Sequence, residues 1–404
     1  MRRARPDPRG RPARPARPRQ PPVPDARLYA ATSAGLETLL AEELGRAGFA
    51  ADLDIGKARV TFALTSVPAA PLRLLVCDRA GMAIRSAEGR FVGPRGLAEM
   101  RGKLARTEFD RALAALPSFG GSAPSTFRVT AAAASTCDFM FFDVKREATP
   151  VIAHRTGLSP SEERPDVVID VEVFPSKLHV GVALPLITLM PPSSRLPRSV
   201  AGAVLSLAAP APRLTVCDPD CGPGELLRAW AAVAPRSRAL GLAPRPASPG
   251  AAQQRPWVAA ANRLAWPIAD GRLSRIISLN PGLRTPVDFA RLLDETARCL
   301  APGGEAVLLI PADQALRQAI EAQPCLVIER TIVVRDQGDP RRIVALRRQP
   351  KPPSQRTDLT AGDRARASDK LGGVVGHRRR EWRRGSGRST RHGAKPPPQE
   401  KRSS

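Results

Sequence analysis

Apolar residues recur along the first half of the chain with two different periods, and these periods predict a mixture of helices and strands. In the segment 36–48 leucines occur at i, i+3, i+4 and i+8, which predicts a helix capped by Gly48. Alternating apolar positions predict strands over 58–64 and 127–133. Two β-rich runs within 166–184 flank a short Pro-Ser turn and predict a hairpin. Since helices and strands do not alternate regularly here, we expect an α+β module over residues 27–190.

The pattern changes after the proline-rich segment 190–197. A predicted helix over 199–208 is followed by short apolar or β-branched runs that alternate with helical patterns up to about residue 348. This alternation is typical of a doubly wound parallel sheet. We therefore predict a second domain, of Rossmann-like α/β type, over residues 191–348.

Both ends of the chain differ from these two domains. Segments 1–26 and 349–404 contain few apolar side chains and much Arg and Pro, so we expect disordered tails. The whole chain has 63 Lys and Arg against 38 Asp and Glu, a net charge of +25. Such an excess favours a polyanionic partner, most often nucleic acid. Arg-rich tails also arise from genome composition alone, and this alternative stays open for them.

Other compositional features exclude several classes of protein. No run of 18 apolar residues exists, so no membrane span is expected, and the basic N-terminus lacks the apolar run of a secretory signal. The six cysteines form neither a disulfide framework nor a zinc-binding spacing, and only four histidines are present. We therefore expect a cytoplasmic protein without a bound metal.

The segment 214–230, LTVCDPDCGPGELLRAW, carries the most information about chemistry. An apolar strand leads into a loop that contains Gly222 and Gly224, and a helix is predicted from Glu225 onwards. Glycines allow a sharp turn and a close approach of ligand to backbone. Because the third glycine of GxGxxG is absent and no Gly-Lys-Ser/Thr follows, the loop fits neither a dinucleotide site nor a P-loop. This weighs against a nicotinamide-dependent oxidoreductase.

The motif Asp-Pro-x-Cys-Gly-x-Gly at 218–224 resembles the cofactor loop of S-adenosylmethionine-dependent methyltransferases. Its form is that of the THUMP-domain RNA methylases that modify guanine N2 in tRNA and rRNA. Three further segments resemble that family in the same order and spacing: 30–44, 269–281 and 292–311. The resemblance implies an N-terminal THUMP-like RNA-binding domain followed by a Rossmann-like methyltransferase domain. It also implies an RNA partner, most often tRNA.

The resemblance further implies a set of cofactor-binding residues. The zwitterionic methionine end of S-adenosylmethionine would place its ammonium group against Asp218 and its carboxylate against the N–H groups of the glycine loop. Cys221 would pack beside the ligand, and Asn262 would accept a hydrogen bond from the adenine amine. The implied binding residues are Asp218, Cys221, Gly222, Gly224 and Asn262.

The same resemblance implies catalytic residues, and at nearby positions the chain differs from the family. Asn280 and Pro281 would accept hydrogen bonds from the amino group of the flipped guanine. The family expects a second proline and an aromatic residue after them, where this chain has Gly282 and Leu283. It also expects an acidic residue that pairs with the ribose hydroxyls, and the matching position is Ala243. A catalytically inactive RNA-binding relative is therefore the alternative to an active methyltransferase.

Four arginines near the predicted last strand are candidates for RNA contact, with a solvated surface as the equal alternative. They are Arg341, Arg342, Arg347 and Arg348.

Overall fold

A computed structural model describes most of the chain between the two predicted tails. Among the residues that it describes, no helix is both long and apolar enough to cross a membrane. The described residues are 27–48, 50–66, 72–184, 187–189, 196–243, 257–260, 265–279, 285–335 and 340–350.

The first half of the chain forms an eight-stranded mixed sheet with the order β2-β3-β1-β5-β9-β8-β6-β7, and β4 pairs with β10 in a small parallel sheet. The hairpin predicted within 166–184 is confirmed, since β8 and β9 pair antiparallel. The helix predicted over 36–48 is also confirmed, and Gly48 caps it in the left-handed conformation. The strands are β1 Arg27–Ala31, β2 Ala50–Gly56, β3 Arg59–Leu64, β4 Leu72–Leu74, β5 Arg79–Glu88, β6 Thr126–Ala133, β7 Ser159–Pro160, β8 Val167–Phe174, β9 Lys177–Ala183 and β10 Ile187–Leu189; the helices are α1 Glu37–Ala47, α2 Gly93–Ala105, α3 Phe109–Ala115 and α4 Phe141–Thr156.

The second half forms a seven-stranded sheet with the order β13-β12-β11-β14-β15-β17-β16. The strands from β11 to β15 run parallel to one another, whereas β17 is inserted antiparallel between β15 and β16. This arrangement confirms the predicted doubly wound α/β fold. Its elements are α5 Arg198–Leu207, β11 Thr215–Asp218, α6 Glu225–Val233, β12 Arg238–Ala243, β13 Trp257–Ala260, β14 Leu273–Ser278, α7 Pro286–Cys299, β15 Leu300–Pro311, α8 Gln314–Glu321, β16 Leu326–Val334 and β17 Arg341–Arg348.

The two sheets are joined by apolar and polar contacts. One buried apolar cluster includes Leu40 of α1 as well as residues of α5 and β17. The end of β16 reaches the first half of the chain, where the Arg335 N–H donates to the Ala34 carbonyl over 3.0 Å. Arg330 forms a two-pronged ion pair with Glu42, with N–O distances of 2.7 and 2.9 Å. The proposed boundary between the two domains, near residue 190, nevertheless stays a prediction.

Helix α5 packs against the first half of the chain through the backbone of Gly202. A Cβ atom added at Gly202 would lie 1.8 Å from the carbonyl oxygen of Leu75, so a larger residue forces the two backbones apart. We therefore expect Gly202→Ala to lower the free energy of unfolding by about 2 kcal/mol, despite the better helix propensity of alanine.

Gly45 in α1 supplies the matched control for this substitution. A Cβ atom at Gly45 would meet nothing within 4 Å, so Gly45→Ala should stabilise the protein by up to about 1 kcal/mol. Urea denaturation followed by circular dichroism measures both variants. Equal effects of the two substitutions would show that the contact between Gly202 and Leu75 does not contribute to stability.

Candidate functional site

The candidate site lies where the strand order of the second sheet reverses. Strand β11 pairs with β12 on one side and with β14 on the other, so the chain proceeds outwards from β11 to β13 and then crosses back to β14. A crevice opens at the carboxyl ends of strands at such a switch point. The loop 219–224 follows β11 at this edge, and Leu279 follows β14.

Local geometry explains the glycines of the loop. Gly222 and Gly224 have φ angles of +49° and +78°, which L-amino acids with side chains rarely adopt. The Gly224 N–H donates to the Cys221 carbonyl over 2.8 Å and closes the turn, after which α6 begins. A Cβ atom at Gly222 would meet nothing within 4 Å, so open space adjoins this backbone.

A cavity of about 200 Å³ lies beside the loop. Leu196, Leu226 and Leu279 form part of its apolar wall. Among the described residues, the charged side chains that line it are three carboxylates and one guanidinium group, those of Asp218, Asp220, Glu225 and Arg341. In this part of the chain the cavity therefore presents an acidic wall together with one cation.

Asp218 is the most unusual group in this cavity. Its residue is only 3 % exposed, and the hydrogen bond that its carboxylate accepts within the described part of the chain comes from the Asp220 N–H, at 3.1 Å. Burial raises the pKa of Asp218 to about 7, although the Asp220 N–H opposes the shift. A buried carboxylate without a cationic partner favours a positively charged ligand.

Cys221 has a structural role in the loop. Its N–H donates to the Leu242 carbonyl of β12 over 3.1 Å, and its side chain packs against Gly241 of the same strand. Burial raises the pKa of the Cys221 thiol to about 12, so the thiol stays protonated at neutral pH. It is thus unsuited to act as a nucleophile.

The structure brings together part of the predicted site. Asp218, Cys221 and Gly222 line the cavity, and Gly224 lies at the N-cap of α6. Ala243, the position of the missing ribose-binding acid, is the buried last residue of β12. Three residues that the family resemblance assigns to ligands lie outside the described residues: Asn262, which would bind adenine, and Asn280 and Pro281, which would bind the flipped guanine.

The four candidate arginines differ in their surroundings. Arg347 pairs with Glu305 and Glu329, and Arg348 donates to the Leu300 carbonyl, so both are held by the protein itself. Arg342 lines a separate cavity of about 360 Å³. Only Arg341 of the four lines the candidate site, a placement that the sequence did not predict.

Comparison with protein-family models and with curated proteins gives no match for this sequence. Several solved structures are nevertheless similar along most of their length. TrmN from Thermus thermophilus is 23% identical with a TM-score of 0.56, and the match covers 80% of this chain and 99% of that one. A possible methylase from Clostridium difficile 630 is 14% identical with a TM-score of 0.53, covering 82% and 100%. SMU.472, a putative methyltransferase complexed with SAH, is 12% identical with a TM-score of 0.53, covering 79% and 97%. The chain thus shares the two-sheet α/β fold of these three structures.

Proposed function

We propose that this chain is an S-adenosylmethionine-dependent RNA methyltransferase that modifies the N2 atom of a guanine in tRNA or rRNA. The observation that carries the proposal is the buried carboxylate of Asp218, which lies beside an open glycine loop at the switch point of a methyltransferase-type sheet. The SAH complex of SMU.472, which shares the fold, supports the choice of cofactor.

The residues present fit the methionine end of this cofactor. Asp218 would hold the ammonium group, and the backbone at Gly222 with the start of α6 would face the carboxylate. Asn262 would accept a hydrogen bond from the adenine amine. The bound cofactor supplies an electrophilic methyl group on a sulfonium ion. The role of this chain is to position the acceptor amine, through Asn280 Oδ1 and the Pro281 carbonyl.

The RNA substrate is supported by charge and by the family resemblance. The tails carry 16 of the 25 net positive charges, a distribution suited to a polyanion. Another similar structure, a predicted N6-adenine-specific DNA methylase from Listeria monocytogenes, suggests a different acceptor, so the assay must identify the modified base.

The first experiment combines binding with turnover. We expect micromolar binding of S-adenosylmethionine in a calorimeter, and transfer of a tritiated methyl group to unfractionated tRNA with N2-methylguanosine as the labelled nucleoside. Asn280→Ala should lower the turnover rate about 100-fold, because it removes an acceptor for the reacting amine, while cofactor affinity stays unchanged. Label in adenosine would instead overturn the guanine assignment.

A second candidate function rests on Ala243. Without a carboxylate at this position the ribose loses a charge-assisted hydrogen bond of roughly 1.5–3 kcal/mol, which weakens the cofactor site. An RNA-binding protein that has lost the reaction would show no cofactor binding up to millimolar concentration while it still binds tRNA. That result would favour a catalytically inactive RNA-binding protein over an active methyltransferase.

A further inference from the structure

We propose that Arg341 binds a phosphate of the substrate RNA strand next to the nucleotide that enters the cavity. The inference rests on the proposed RNA substrate and extends it to a residue that the sequence analysis left undecided. Three observations support it: the position of Arg341 in the sheet, the lack of a partner for its guanidinium group among the described residues, and its link to the first sheet.

The position of Arg341 separates it from the methionine end of the cofactor site. Strand β17 runs antiparallel, so its first residue lies at the carboxyl edge of the sheet, the same edge as Asp218. Strands β14 and β15 lie between β11 and β17, and three strand spacings correspond to about 14 Å. Arg341 and Asp218 therefore line the same cavity from different sides. The glycine loop adjoins Asp218, which leaves the Arg341 side for the substrate.

The charge of Arg341 is available to a ligand. Within the described ranges its exposed guanidinium forms no ion pair or hydrogen bond, in contrast to Arg347 and Arg348 of the same strand. The other charged groups that line the cavity in the described part of the chain are carboxylates, which repel an anion. A planar guanidinium offers two parallel donors to phosphate oxygens, so Arg341 is the feature of this cavity best suited to a phosphodiester.

The neighbours of Arg341 connect the cavity to the first sheet. Val334, the last residue of β16, pairs with Arg341 across the two strands. The next residue, Arg335, donates its N–H to the Ala34 carbonyl, so this corner of the second sheet adjoins the start of α1. An RNA strand that contacts the first sheet and also enters the cavity would pass Arg341 on its way.

The test measures RNA binding rather than turnover. Fluorescence anisotropy with unfractionated tRNA, at several salt concentrations, compares the full-length chain with Arg341→Ala. We expect about tenfold weaker binding at low salt and a slope of log K against log salt that is smaller by about 0.7–0.9, the contribution of one phosphate. Arg341→Lys should keep the slope and recover part of the affinity, because it retains the charge but not the planar fork.

Arg342→Ala is the matched control, since the adjacent side chain lines a different cavity. It should bind tRNA as the parent chain does, and Arg341→Ala should bind S-adenosylmethionine as the parent chain does. An unchanged salt slope for Arg341→Ala would overturn the inference, as would a loss of cofactor affinity, which would assign Arg341 to the cofactor carboxylate. Failure of the proposed enzyme appears separately, as absent cofactor binding by the parent chain.

Discussion

Replacing Glu172 by glutamine is expected to lower the free energy of unfolding by about 3 kcal/mol. Glu172 lies on β8 with its side chain only 5% exposed, and it forms ion pairs with Arg59 and with Arg79, the latter at 2.5 Å. Burial alone would raise the pKa of Glu172, but the two guanidinium groups outweigh burial and hold this pKa below its usual range. The variant leaves two largely buried cations without their carboxylate, a change that typically costs 3–5 kcal/mol.

In the cluster around Glu172 the two arginines also contact other groups, and these contacts limit the loss in the free energy of unfolding. Arg59 also stacks on the Tyr29 ring, 4.3 Å from its centroid, and Asp170, which accepts a hydrogen bond from Tyr29, attracts Arg79. Both contacts survive in the variant, so the lower end of the range applies.

The matched control is Glu162→Gln, which removes a carboxylate paired with Lys145 on the surface. The Glu162 side chain is 60% exposed, so we expect a loss below about 1 kcal/mol. Urea denaturation at pH 7 measures both variants. Because folding lowers the pKa of Glu172, the difference between Glu172→Gln and the parent chain should shrink as the pH falls below about 4. A loss at pH 7 no larger than that of Glu162→Gln would contradict the importance of the buried cluster.

The Glu172 cluster marks a limit of prediction from sequence. Alternation over 166–174 predicts the strand correctly, but it places Asp170 and Glu172 on a face that periodicity alone would assign to solvent. Their partners Tyr29, Arg59 and Arg79 come from β1, β3 and β5, between 93 and 141 residues earlier in the chain. No local pattern signals which of the many arginines will meet them, because strand order decides this.

The candidate site shows the same contrast between local and distant contributions. The closeness of Asp218, Gly222 and Gly224 was predictable because they belong to a single strand-loop-helix segment. The turn was predictable as well, because backbone positions with positive φ favour glycine. Arg341 reaches the cavity only because β17 is inserted antiparallel between β15 and β16, which brings the start of that strand to the carboxyl edge. Nothing in the alternation of the strand distinguishes it from Arg342.

Asp218→Asn tests the cofactor site directly, because the substitution keeps the shape of the side chain and removes its charge. In the free protein the pKa of Asp218 is raised to about 7, so about a tenth of the molecules hold the ionised carboxylate at pH 6. An arriving ammonium group stabilises the ionised form, and binding therefore releases a proton. We expect the affinity for S-adenosylmethionine to rise about fivefold between pH 6 and pH 7, a range in which the ammonium group of the cofactor stays mostly protonated.

The variant should lose both the affinity and its pH dependence. Without the carboxylate the ammonium group of the cofactor meets a neutral amide in a buried position, and we expect binding at pH 7.5 to weaken about 100-fold. Calorimetry in two buffers of different ionisation enthalpy counts the released protons, which should fall to near zero in Asp218→Asn. Asp294→Asn changes an exposed carboxylate that is hydrogen-bonded to Gln323 outside the cavity, so it should keep the affinity and the proton release of the parent chain. If Asp218→Asn retained the pH dependence, a different group would titrate on binding and the ammonium would lie elsewhere in the cleft.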